Sequence, residues 1–128
     1  EGENFIFFYG GQYLYLYGVL QALFLQQDAL KDLGEVIDFT INYKKDYPNL
    51  YKIREIRNKT SGHPTKRSKN NNWESTHSIV RTSMTKDNFE IRSKFKELKD
   101  AENEKIEILN IIEIQEQTVK KIIKDLIG

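Results

Sequence analysis

The sequence predicts a mainly α-helical domain, an antiparallel helical bundle with one β-hairpin inserted at about residues 76–95. Three observations predict it. Apolar residues recur at spacings of three and four over residues 11–37 and again over 100–127. Pro48 sits well at the first turn of another such stretch, with Leu50, Ile53 and Ile56 on one face. Residues 76–84 are rich in β-branched types, residues 89–95 alternate apolar and polar, and Thr85-Lys86-Asp87-Asn88 makes a turn between them.

A chain of 128 residues holds one domain of ordinary size, so residues 1–128 are read as a single domain. With 38% hydrophobic residues it buries a modest core. It opens Glu1-Gly2 with no initiator Met, and is read as a piece of a longer protein lacking the native N-terminus.

Residues 5–17 are crowded with aromatics, namely Phe5, Phe7, Phe8, Tyr9, Tyr13, Tyr15 and Tyr17, which suit a core. They lack the basic start and small-residue cleavage pattern of a signal peptide. Gly10, Gly11 and Gln12 interrupt them well short of a membrane span. From about Gly11 to Ile37 a helix is expected, with Leu16, Val19, Leu20, Leu23, Leu30, Leu33 and Ile37 along its stripe. Gly18 and Gly34 are places for it to bend. Gln27 falls on that apolar stripe and needs a polar partner, and Asp28 lies beside it.

Residues 38–47 connect to the Pro48 helix, which Gly62 and Pro64 end. Residues 64–75 read as a polar loop with a triple Asn tip, and Trp73 in it packs onto the body of the domain or stacks on a base. The hairpin follows, with His77 as a surface strand residue. Residues 100–127 are expected to form a last long helix capped by Asp100 or Asn103, with a broad isoleucine-rich side and a solvated acidic face.

Composition excludes several functions. The chain has no cysteine and two histidines, His63 and His77. A disulfide scaffold, a cysteine nucleophile and a thiolate metal site are ruled out, a histidine-rich zinc site is not expected from two histidines, and no cofactor or metal is expected. No Gly-x-Ser-x-Gly elbow and no phosphate-binding glycine loop is present. The net charge of +1 hides an asymmetry. Residues 44–69 hold nine Lys or Arg against two acids, whereas residues 97–128 hold eight acids against five lysines. A basic middle suits a polyanion.

Within that basic middle runs Ile53-Arg54-Glu55-Ile56-Arg57-Asn58-Lys59-Thr60-Ser61-Gly62-His63-Pro64. Arg57 presents a permanent charge and a forked donor set suited to phosphate. A histidine such as His63 can titrate near neutrality and move protons. Asn58 can orient either partner or the phosphate. Six residues of ideal helix separate Arg57 and His63 by about 120° around the axis. Convergence needs a distorted helix end, which Gly62 permits, or a second copy across a two-fold axis. Against this stand plainer readings: His63 caps the last carbonyls, and Arg57 pairs with Asp28 or Glu55.

The Arg57-Asn58 pair followed by His63 on a late helix resembles the signature of the HEPN superfamily of helical domains, over roughly residues 10–67 and the last helix. The hairpin lies outside the minimal family pattern. The resemblance implies a metal-independent endoribonuclease in which a base activates the ribose 2′-hydroxyl and Arg57 stabilises the phosphate charge. It implies a homodimer with both motifs in a shared cleft, and an added polar residue from the first helix, with Asp28 the best candidate and Glu55 the second. Arg54, Lys59, Lys66, Arg67 and Lys69 are the expected RNA-binding cations. A bacterial toxin with an antitoxin partner, acting in the cytoplasm and away from membranes, is the expected setting. The alternatives are a non-catalytic nucleotide-, RNA- or protein-binding module of the same kind, and a structural helical dimerisation domain.

Overall fold

The structure is a computed structural model and describes residues 10–62, 65–67, 70, 73–98 and 100–128. Among the described residues, four α-helices accompany a four-stranded antiparallel sheet. The elements run α1 (Gly10–Val36), α2 (Tyr43–Asp46), α3 (Pro48–Arg57), a π-helical turn (Asn58–Gly62), β1 (Thr65–Arg67), β2 (Trp73–Ile79), a 3₁₀ turn (Arg81–Ser83), β3 (Asn88–Phe95), β4 (Glu102–Glu107) and α4 (Ile108–Ile127). Of the expected core aromatics, Phe5, Phe7, Phe8 and Tyr9 lie outside the described residues.

The expectation of a helical bundle with a small inserted hairpin is overturned. The hairpin exists, with Ser75 opposite Phe95 and Ile79 opposite Ile91, but it forms the middle of a larger sheet in the order β1-β2-β3-β4. β1 emerges from the segment read as polar loop and pairs with β2 through an irregular register at Lys66 and Arg67. β4 takes the residues expected to begin the last helix, setting Ile106 opposite Phe89 and Asn103 opposite Arg92. The physical reason is the exposed edge of β3. Its unpaired backbone groups recruit Glu102–Glu107, whose charged side chains suit an edge strand. Neither Asp100 nor Asn103 caps a helix: α4 starts at Ile108, whose N–H is satisfied by the carbonyl of Asp87 at 2.9 Å.

α1 forms where the periodicity predicts it, burying Leu16, Leu20 and Leu30. Leu33 and Ile37, expected on its core stripe, are half exposed. The apolar side of α4 is divided too: Ile108, Ile111, Val119 and Ile122 are buried, while Ile127 faces solvent. α3 contributes Leu50, Ile53 and Ile56, and the inner face of the sheet contributes Phe89, Ile91 and Ile106. The acids of α4, Glu113, Glu116 and Asp125, are exposed as expected.

Gln27 finds the partner its position demanded. Its Nε2 donates to Oε1 of Gln115 on α4 at 2.8 Å and to the carbonyl of Leu50 on α3 at 3.1 Å. Gln115 in turn donates to the Leu23 carbonyl and to Gln26 Oε1 on α1. Both amides are fully buried. The hydroxyl of Tyr43 donates to the Gln27 carbonyl, and burial pushes that phenol up to about 12.

Gly34 serves the end of α1. Its carbonyl accepts from Ile37 and Phe39 at 3.1 and 2.8 Å, and Asp38 takes the left-handed conformation at φ 60°. A Cβ at Gly34 would lie 2.5 Å from the Phe39 carbonyl oxygen. Gly34→Ala is therefore expected to cost about 1–3 kcal/mol, read as a lower urea midpoint at unchanged slope.

Candidate functional site

α3 presents three faces, each set by helical spacing. Leu50, Ile53 and Ile56 enter the core. Arg54 and Arg57, three apart, reach back over α1. Tyr51 and Glu55, continued by Asn58 and Lys59 of the π-turn, line an open cleft of about 500 Å³ against the sheet. Thr65, Lys66 and Arg67 of β1 and His77 of β2 complete the lining.

The arginine face is well tied. Both guanidinium carbons lie close to the Phe24 ring centroid, Arg54 at 4.0 Å and Arg57 at 4.1 Å, in cation–π contact. Arg54 pairs with Asp28 at 3.0 Å and bonds Gln27 Oε1 at 3.3 Å. Arg57 Nε donates to Gln21 at 3.2 Å, and its Nη1 donates to Asn58 Oδ1 at 3.0 Å. Arg57 and Asn58 are thus joined. Holding Asn58 by its oxygen orients the amide at the cleft wall.

The end of α3 is distorted. After Arg57 the backbone widens into a π-turn. Thr60 stabilises it: its hydroxyl donates to the carbonyls of Ile56 at 2.9 Å and Arg57 at 3.1 Å. His63 and Lys69 lie outside the described residues. The segments on either side of His63, Asn58–Gly62 and Thr65–Arg67, both border the cleft.

Of the expected site residues, the cleft brings together Asn58, Lys59, Lys66, Arg67 and Glu55. Arg57 reaches it through Asn58, whereas Asp28 and Arg54 form an ion pair beside α1. Lys66 also approaches Glu74, at 3.8 Å on the surface, a pair of little energetic weight.

His77 departs from its expected place as a surface residue. It is 9% exposed and held on both ring nitrogens, Nδ1 at 2.7 Å from Ser93 Oγ and Nε2 at 3.2 Å from Ser75 Oγ. Burial, with the charge of Lys59 second, holds the imidazole below its ordinary range. The sequence carries a signal for this cluster. Ser75 and His77, two apart on a strand, share a face, and the register places Ser93 opposite His77. Recognising that face as the inner one required β1 and the π-turn, which the reading of residues 58–75 did not contain. Trp73 is partly exposed at the start of β2.

Three cations, one carboxylate and a largely buried imidazole make a cleft suited to a phosphate-bearing ligand. Among the described residues no cluster of His, Asp or Glu could hold a metal ion, and no helix is long and apolar enough to cross a membrane. No protein-family model, curated protein or solved structure matches the chain.

Proposed function

We propose that this chain binds RNA through the cleft between the end of α3 and the β1–β2 edge, and cleaves it without metal at the Arg57-Asn58…His63 motif. One observation carries the reading: Asn58, held by Arg57, lines the same cleft as Lys59, Lys66 and Arg67. Asn58 and these cations form one surface, of the kind that a phosphodiester backbone needs. Tyr51, in the same wall, offers a ring for a base. His63 supplies the acid–base group and Arg57 the charge that steadies the phosphate. The resemblance to HEPN ribonucleases supports this, as does the basic middle of the chain. A toxin role with an antitoxin partner follows from the resemblance alone.

The working unit is a symmetric pair of chains. The outer side of α1 carries Leu14, Gly18, Ala22, Leu25, Ala29, Leu33 and Val36, all exposed and spaced 4-4-3 twice over. The stripe is self-complementary about Leu25. Run antiparallel against a second copy, Leu14 meets Val36, Gly18 meets Leu33 and Ala22 meets Ala29. Small faces large where Gly18 leaves open space. The helix is about 40 Å long, enough for a continuous seam. Gln21 and Phe24, the α1 contacts of Arg57, adjoin Leu25, so such a pair sets the two motifs on either side of the axis.

The experiment is cleavage of a single-stranded RNA by the wild type, His63→Ala and Leu25→Glu, with the oligomeric state followed by sedimentation. The expected result is a dimer that cleaves. His63→Ala stays dimeric and loses activity by about a hundredfold or more, and Leu25→Glu is monomeric and inactive. Cleavage untouched by His63→Ala rejects the assigned chemistry, and a monomeric, active wild type rejects the pairing.

A further inference from the structure

The inner face of the sheet changes character along its length. Near the 3₁₀ turn it is apolar, with Ile79, Phe89 and Ile91. At the end facing the π-turn it buries Ser75, His77 and Ser93 instead. A polar group costs free energy in such a place unless it is satisfied, and here every partner is a hydroxyl. That choice has a chemical consequence. A serine hydroxyl both donates and accepts, so two serines can hold a neutral imidazole or an imidazolium by rotating a hydroxyl, with no movement of the ring. Carboxylate partners would have fixed the charged form. The Phe95 ring meets the imidazole edge-on at 6.0 Å and keeps its orientation.

What then decides the charge of His77 is the cleft. Lys59 faces it from the π-turn, Lys66 and Arg67 from β1, and Glu55 and Tyr51 from α3. From its own sheet come the two serines, with Glu74 paired to Lys66. The balance is cationic, which disfavours a further positive charge while the cleft is empty. A bound phosphate reverses that balance.

We propose that the Ser75–His77–Ser93 bracket is the proton-linked part of the anion site: a phosphate group entering beside Lys59 leaves His77 as imidazolium, and the cleft takes up one proton on binding. This rests on the reading of the cleft as an RNA site and adds a regulation to it. Affinity rises as pH falls through the range where the free histidine is neutral and the bound one charged. Taking up a full proton steepens affinity by up to about tenfold per pH unit.

The test uses a non-cleavable 2′-O-methyl RNA hexanucleotide, at fixed salt, between about pH 7.5 and pH 5.5. The chain holds a second histidine, so binding is measured in His63→Gln and in His63→Gln/His77→Gln. The imidazole resonances of His77 are followed in the wild type, a readout that needs no variant to fold. The expected result is about a tenfold gain in affinity towards pH 5.5 in His63→Gln, and a profile flat within about twofold once His77 is also Gln. The His77 resonances move to imidazolium positions when RNA is added at neutral pH. A pH dependence that survives His77→Gln, or resonances that stay neutral at saturating RNA, overturns the proposal. If the RNA binds at no pH, the functional reading itself fails, and inorganic pyrophosphate, which titrates in the same range, then decides the bracket by comparison of His63→Gln with His63→Gln/His77→Gln: proton uptake on binding that is lost with His77 upholds the proposal, and uptake unchanged without His77, or no binding, ends it.

Discussion

Gln27→Leu is expected to lower the stability of the domain by about 3 kcal/mol, the largest effect of any single polar substitution in the core. Gln27 is fully buried, and its side chain joins three helices. Leucine fills a similar volume but leaves Gln115 Oε1 without its donor and removes the acceptor that Arg54 uses. An orphaned buried polar atom costs about 1–3 kcal/mol, and a shared network adds to it. A fall of about 10 °C in the unfolding midpoint corresponds to that loss at this chain length. Gln27→Leu combined with Gln115→Leu is expected to recover part of it, because the amide pair then disappears together. Calorimetry on the two single variants and the double closes the cycle. Strict additivity would mean that the amides do not act as a pair.

Lys59→Glu with Lys66→Glu is expected to weaken binding of single-stranded RNA by about a hundredfold at low salt, and to reduce the slope of log K against log salt by about two. Both lysines line the cleft beside Asn58. Lys121 and Lys124 are exposed on α4 and form the control. Reversing those two is expected to change affinity by less than about threefold, since screening confines a surface charge to its neighbourhood. Equal losses from both pairs would mean that the chain attracts RNA by diffuse charge and not at this cleft. The measurement is fluorescence anisotropy across a salt series.

How much of this was legible follows from which forces act locally. α1 and α3 were readable because a 3.6-residue apolar period and Pro48 are written into adjacent residues. Gln27 was readable as a buried polar group because it breaks such a period. The hairpin was readable from the alternation of residues 89–95, although its first strand, read as residues 76–84, ends earlier: Ile79 ends β2 and a 3₁₀ turn follows. β1 and β4 were not readable. Thr65–Arg67 is wholly exposed, and Glu102–Glu107 has one buried side chain, Ile106, so neither carries a pattern. Their conformation comes from neighbours in the sheet, a tertiary effect that outweighs local propensity.

The site was half legible for the same reason. Asn58, Lys59, Lys66 and Arg67 are near one another in sequence and line one cleft, with Arg57 bonded to Asn58 beside it. His77 was misplaced because its surroundings depend on β1 and the π-turn. Arg54, expected among the RNA contacts, stacks on Phe24 and pairs with Asp28, and nothing local distinguishes its spacing from that of Arg57.

The central claim is that RNA sits in the cleft between the end of α3 and the β1–β2 edge. An amide NMR titration of the full chain with the non-cleavable RNA tests it most directly, since every residue reports at once. Shifts are expected to concentrate at Asn58, Lys59, Thr65, Lys66, Arg67 and His77, saturating together, with α4 and the β4 edge unmoved. Shifts centred on α4 or on β4, or none at saturating RNA, would contradict it.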